Sequence, residues 1–119
     1  MFYLVRMTLP AAPSDMSALE DCVEPAARLL KLLASEQRLL LLCRLLEGEA
    51  SVGDLASHAK LAQSAASQHL AKMRAEGLVT TRREAQTIFY RLDNPAAVEV
   101  LGVLQSLYAS PNGVQGRNA

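Results

Sequence analysis

Hydrophobic residues recur at intervals of three and four over much of the chain, which is the pattern of amphipathic helices. A first helix is expected from near Ser17, and Pro25 either kinks it or marks the start of a later one. A second helix is expected between Ser35, a good N-cap, and Gly48, a common stop. Because six leucines cover most of its circumference, this second helix should be buried on several sides.

Two short helices with a tight connection come next. The first follows Ser51 and ends near Ala59, and the second runs from about Gln63 to Ala75. Gly77 is placed to end the second helix in the left-handed backbone conformation. Two short helices joined by so few residues are typical of a helix-turn-helix.

A β-hairpin and a last helix complete the pattern. Segments 78–83 and 87–92 are rich in β-branched and aromatic residues, which predicts two paired strands. Asn94 and Pro95 then provide an N-cap and a first helical residue, and the last helix should run to about Tyr108. The predicted fold is mainly α with a small β-hairpin wing, in the order α-α-α-α-β-β-α.

Length and composition predict one compact domain. With 119 residues, half of them hydrophobic, we expect a single domain over residues 14–109. Residues 1–13 should be a disordered arm and residues 110–119 a disordered tail. Two cysteines do not make a disulfide scaffold, and no apolar run approaches the roughly 18 residues of a membrane span. We therefore expect a cytoplasmic protein with reduced thiols and no membrane partner.

The charge is unevenly distributed although the net charge is zero. Residues 60–91 carry six basic and two acidic side chains, whereas residues 1–59 carry five basic and eight acidic ones. A basic segment over the helix-turn-helix and the hairpin predicts an anionic partner. Scattered charges on a solvated surface are the alternative explanation.

The fourth helix should present a polar face to DNA. Ala66, Leu70 and Met73 share one face and should be buried, so the opposite face carries short hydroxyls and an amide. In a major groove Gln68 can pair with adenine, while Lys72 should meet phosphate. The basic hairpin residues should contact the DNA backbone or the minor groove. The candidate DNA-contacting residues are Gln63, Ser64, Ser67, Gln68, His69, Lys72, Arg82, Arg83, Gln86 and Arg91.

The last helix predicts a homodimer, because it is apolar on nearly all sides. It therefore needs cover from its own core on one face and from another chain on the other. The first helix, also apolar, is the natural partner. The candidate interface residues are Leu19, Val23, Val100, Leu101, Leu104, Leu107 and Tyr108.

Two stretches carry a family resemblance: Leu55-Ala-x-x-Ala-x-Leu-x-Gln-Ser-Ala-Ala-Ser-Gln-His-Leu70 and Met73-Arg-x-x-Gly-Leu-Val79. Together with Arg82-Arg83 and Phe89-Tyr-Arg-Leu92, which look like the wing of that family, they resemble the ArsR/SmtB family of bacterial repressors over about residues 26–108. The resemblance implies a winged helix-turn-helix repressor of duplex operator DNA that dimerises through its first and last helices. It also implies that His69 supports the helix or touches DNA; packing at the domain edge is the alternative.

The resemblance leaves the inducing signal open. One metal site of the family needs two cysteines where this chain has Ser51-Val-Gly-Asp-Leu55, and another needs His on the last helix, which offers only Glu99. The stretch around Cys43 resembles the thiol-sensing branch, which includes biofilm-growth and sulfide-responsive repressors. That branch carries a second cysteine near the end of the last helix, where this chain reads Leu107-Tyr-Ala109.

The sequence therefore offers Cys22 and Cys43 as a redox pair. If the first two helices fold back on each other, the thiols lie at similar heights, about 18 and 14 Å from the bend. Two unrelated cysteines, a metal- or metalloid-responsive repressor and a repressor without ligand are the alternatives. The chain lacks a nucleophile–base constellation and a phosphate loop, so an enzyme is not expected, and neither a cofactor nor a metal is predicted. A winged-helix module that binds another protein is the alternative from a different class.

Overall fold

The computed structural model describes residues 16–108. The arm predicted over residues 1–13 and the tail predicted over 110–119 lie outside the described residues. The chain divides into two units between Lys31 and Leu32, and each unit is described by itself. No helix in the described range is long and apolar enough to cross a membrane.

Within residues 16–31 of the first unit the structure has two helices where the sequence predicted one starting near Ser17. Helix α1 spans Met16–Asp21 and helix α2 spans Val23–Leu33, which ends just inside the second unit. Cys22 separates them: its amide donates to the carbonyl of Leu19 at 2.9 Å, and its carbonyl accepts from Ala26 at 3.1 Å. Pro25 is thus in the first turn of α2, where a missing N–H costs no helical hydrogen bond. A new helix does start near Pro25, but it starts at Val23, so Pro25 is its third residue and not the first one that was expected.

The second unit holds the remaining elements. They are α3 (Glu36–Leu46), β1 (Ala50–Ser51), α4 (Val52–Ala59), α5 (Gln63–Ala75), β2 (Val79–Glu84), β3 (Thr87–Leu92) and α6 (Pro95–Tyr108). The strands form an antiparallel sheet in the order β1-β3-β2. The predicted hairpin is confirmed, and the sheet gains a short third strand that the sequence did not indicate.

Local signals set the helix ends in this unit. Ser35 Oγ accepts from the amide of Arg38 at 3.2 Å, and Ser51 Oγ accepts from that of Asp54 at 3.2 Å. Asn94 caps α6 in the same way, with its Oδ1 accepting from the amide of Ala97 at 2.9 Å. Gly77, which follows the C-cap residue Glu76 of α5, adopts a φ of 82°, the left-handed conformation that glycine takes without steric cost. The predicted caps are therefore confirmed.

The core of the second unit is aliphatic. Its largest fully buried side chains are Leu41, Leu42, Leu55, Leu70, Met73, Leu78 and Val79. Helix α3 contributes Leu41, Leu42 and Leu45 to it. The prediction that this helix is buried on several sides is wrong for the chain described, because Leu40 and Leu46 remain exposed. Leucines at consecutive positions of one helix cannot all face the same core.

Candidate DNA-binding surface

Helix α5 has one buried and one exposed face. Ala66, Leu70 and Met73 are fully buried, as the spacing predicted. The candidate residues Ser64, Ser67, Gln68 and Lys72 are all exposed. No side-chain hydrogen bond or ion pair involves them within residues 16–108. The exposed face therefore offers donors and acceptors that are not committed to the protein itself.

The turn between α4 and α5 sets how the second helix is held against the first. Lys60 has a φ of 59°, and the amide of Leu61 donates to the carbonyl of Ala56 at 2.9 Å. The side-chain Nε2 of Gln63 lies against Gly53, 3.4 Å from the point where a Cβ on that glycine would stand. Gln63, expected on the DNA, thus also packs on the first turn of α4.

His69 lies between the two faces of α5. Its side chain is half-buried, between the exposed Gln68 and the fully buried Leu70. This position is compatible with each of the three expected roles: support of the helix, contact with DNA and packing at the domain edge.

The wing presents its arginines on opposite faces. Residues directly opposite across an antiparallel pair share a face, so Arg82 lies with Phe89 and Arg83 lies with Ile88. Gln86 is exposed in the turn, next to Ala85, which has a left-handed φ of 58°.

Arg82 is bound within the protein. Its Nε donates to both carboxylate oxygens of Glu49, at 3.0 and 2.9 Å, and its Nη1 donates to Glu84 at 2.9 Å. The guanidinium carbon also lies 4.8 Å from the centre of the Phe89 ring. The hydrogen bond from Arg82 lowers the pKa of Glu49, and the charges of Arg82 and Arg91 lower it further. Arg91 contacts Asp93 more loosely, at 3.7 Å.

These features agree with comparisons to known proteins. The sequence profile described as "Bacterial regulatory protein, arsR family" matches residues 35–81. The transcriptional activator HlyU of Vibrio cholerae is 46% identical over 104 residues, which cover 87% of this chain and 96% of that protein. The chain belongs to the ArsR family.

Solved structures of this family have the same fold. HlyU from Vibrio cholerae matches with a TM-score of 0.72 and 48% identity, over 76% of this chain and 99% of that one. The transcriptional repressor BigR from Xylella fastidiosa matches with a TM-score of 0.72 and 39% identity, over 76% and 92% of the two chains. A winged helix-turn-helix DNA-binding domain from Mycobacterium bovis, described as homodimeric, matches with a TM-score of 0.65 and 30% identity. The match covers 81% of this chain and 87% of that one. The ArsR-family chain is thus a DNA-binding transcriptional regulator and not an enzyme.

The candidate dimer surface of this ArsR-family chain is only partly exposed. Leu107 and Tyr108 are exposed by 48 and 60%, whereas Val100 and Leu104 are half-buried. Leu101 is buried to 4% exposure within the chain itself, so it belongs to the core. Beyond the expected set, Val98 and Val103 of α6 are also exposed. In the first unit, the two candidates on α1 and α2, Leu19 and Val23, are exposed as well.

The two cysteines are both exposed. Cys43 opens into a groove of about 720 Å³ between α3 and α6. Partial burial raises the pKa of its thiol, and the charge of Glu47 raises it further. The groove is lined by Leu39, Cys43, Leu46, Glu47, Leu101, Leu104, Gln105 and Tyr108. Cys22 lies in the other unit, between α1 and α2.

No group of three metal-ligating side chains comes together within residues 16–108.

Proposed function

We propose that this ArsR-family protein is a homodimeric repressor that binds duplex operator DNA through α5 and the wing. The division of α5 into two faces is the observation that carries the proposal. Leu70 and Met73 anchor the helix on the core, while Gln68 and Lys72 stand exposed on the other side. A helix anchored on one side and lined by short polar side chains on the other fits a major groove.

The exposed residues of α5 have distinct proposed roles. Gln68 pairs with an adenine edge, because its amide can donate and accept at once. Ser64 and Ser67 contact bases or phosphates, and Lys72, one turn further on, contacts phosphate. On the wing, Arg83 and Gln86 are exposed and reach the backbone or the minor groove.

A dimer places two such helices about one turn of DNA apart. The exposed apolar residues of α6, among them Val103 and Leu107, support this assembly because isolated chains rarely expose such a stripe. The similarity to a homodimeric domain of Mycobacterium bovis supports it as well. Two half-sites related by a two-fold axis are therefore expected in the operator.

Repression follows if the dimer occupies its operator and an inducing signal releases it. The similarity to the transcriptional repressor BigR supports this direction, and the relative HlyU is named an activator. A reporter gene under the operator decides between them. Deleting the regulator should raise expression; lower expression would contradict repression.

DNA binding is tested by selecting duplexes from a random library with the purified protein. The selected site should be a near-palindrome, and its affinity should fall steeply with salt. Lys72→Ala should weaken binding, whereas Lys31→Ala, the same change in α2, should not. A monomer at micromolar concentration, or no enriched sequence, would contradict the proposal.

The proposed signal is oxidation of Cys22 and Cys43. With an added disulfide as oxidant, the two thiols would lose two protons and two electrons and form one S–S bond, while the disulfide is reduced to two thiols. With an inorganic polysulfide, its sulfane sulfur would be inserted between the two cysteine sulfurs, and the remaining sulfur would leave as sulfide or a shorter polysulfide. Both side chains are exposed, which supports access of the oxidant. The raised pKa of Cys43 keeps it mostly protonated at neutral pH, so its reaction should be slow and should speed up with pH.

Intact mass and operator affinity, measured together after oxidation, test this signal. One cross-link per chain and weaker binding are expected. Cys22→Ser and Cys43→Ser should each abolish the response and leave binding by the reduced protein unchanged. Two free thiols in the mass, or unchanged affinity of the cross-linked form, would end the thiol proposal without affecting DNA binding.

A further inference from the structure

Arg82 differs from every other basic residue of the basic segment in how it is held. Its guanidinium donates to two carboxylates, those of Glu49 and Glu84, at 2.9–3.0 Å, and lies over the ring of Phe89. Arg82 and its two partners carry a net charge of −1. A DNA phosphate would have to displace a carboxylate from Arg82, next to a second carboxylate that repels it.

The partners of Arg82 connect the wing to the helix-turn-helix. Glu49 directly precedes β1, and β1 ends at Ser51, whose side chain caps α4. Phe89 on β3 pairs with Ser51 on one side and with Arg82 on the other. The cluster of Arg82, Glu49, Glu84 and Phe89, here called the wing clamp, therefore joins β2 and β3 to the residue that precedes β1. Through the pairing of Phe89 with Ser51 it adjoins the residue that caps α4.

Arg83, next to Arg82 in the sequence, is not held by carboxylates of the described residues. Arg83 lies on the other face of the hairpin, opposite Ile88, and is exposed. No ion pair or side-chain hydrogen bond of Arg83 occurs in the described range. Its charge is thus available to an anion without any competing carboxylate.

We propose that Arg82 is a positioning residue that sets the angle of the wing relative to α5, and that Arg83 is the cation of this pair that meets DNA phosphate. The inference rests on the proposed DNA binding. Since β1 is only two residues long, the β1–β3 pairing alone holds the wing weakly, and the wing clamp adds a side-chain tie at the same place. A correctly angled wing then places Arg83 on the backbone while α5 occupies the major groove.

The dependence of operator affinity on salt separates the two roles. Each lost phosphate contact reduces the slope of log affinity against log salt by about 0.9. Arg83→Ala should lower the slope by that amount. Arg82→Ala should lower affinity by about 1.4- to 5-fold, the range that exposed ion pairs span, with the slope unchanged. Arg82→Lys keeps the charge but loses the planar fork of donors, so this variant should also bind the operator more weakly. Arg83→Lys keeps the charge that meets phosphate, so its operator affinity should not fall.

The sign of the effect of Glu49→Gln provides a second test. If Arg82 were a phosphate contact, removing its competitor would strengthen DNA binding. A positioning role instead predicts that Glu49→Gln binds the operator more weakly than Glu76→Gln does. Glu76→Gln is the control, because it removes one exposed carboxylate after α5 without touching the wing clamp. In the free protein, Arg82→Ala should also speed hydrogen exchange at the β1–β3 amides.

Three results would overturn the proposal: a slope reduced by about 0.9 in Arg82→Ala, stronger binding by Glu49→Gln than by Glu76→Gln, or unchanged amide exchange. Absence of salt-dependent binding by the unmodified protein would instead overturn the proposed function, and with it the phosphate role of Arg83. The two failures are therefore distinguishable.

Discussion

Replacing Gln68 by alanine should separate DNA reading from folding. Gln68 is exposed on α5 and makes no side-chain hydrogen bond within residues 16–108. Alanine is slightly the better helix former, by a few tenths of a kcal/mol. The free energy of unfolding should therefore change by no more than about 0.5 kcal/mol.

Gln68→Ala should instead reduce the discrimination between bases at one base pair of each half-site. A side-chain amide that pairs with adenine through two hydrogen bonds is worth about 1–3 kcal/mol of discrimination, or roughly 5- to 150-fold in affinity. Leu70→Ala, two residues along but on the buried face, is the matched comparison. Its fully buried side chain should cost about 3 kcal/mol, which for a domain of this size lowers the Tm by more than about 10 °C.

Thermal unfolding and fluorescence anisotropy together measure both effects. Anisotropy is recorded against the selected operator and against variants changed at one base pair each. With Gln68→Ala, the preference at one position in each half-site should disappear while the other preferences persist. Equal weakening on every duplex, or a Tm lowered by several degrees, would refute the placement of this face in the major groove.

Four further predictions follow from the same structure. Val103→Glu should leave the monomer folded but dissociate the dimer in sedimentation, because the side chain is exposed in one chain; a persisting dimer would remove α6 from the interface. Lys72→Ala should weaken all duplexes alike and flatten the salt slope by about one unit; loss confined to one sequence would contradict its phosphate role. Glu47→Gln should shift alkylation of Cys43 to lower pH, since it removes a charge that raises the pKa of the thiol; an unchanged profile leaves burial as the sole cause. Gly77→Ala should lower the free energy of unfolding by about 1–2 kcal/mol, because its φ of 82° strains any side chain; an unchanged Tm would contradict this.

Local signals in the sequence determined most of the element boundaries. Ser35, Ser51 and Asn94 cap helices because a side-chain oxygen can reach an amide two or three residues away whatever surrounds it. The limits of α5 and its buried Ala66, Leu70 and Met73 likewise follow from spacing along one helix. Membership of the ArsR family could be read from motifs in the same region.

Contacts between distant residues decided the rest. Strand β1 has two residues and exists only because Ala50 and Ser51 meet Tyr90 and Phe89, about forty positions away. The pairing of Arg82 with Glu49, 33 residues apart, has no local signal, so the sequence indicated three similar wing arginines where the structure distinguishes them.

The sequence also left open which leucines of α3 face the core, because all six are equally apolar. Burial depends on which neighbours lie on each side of a helix, and those neighbours come from other parts of the chain. For the same reason the exposure of Cys43 and the burial of Leu101 were decided only by tertiary packing.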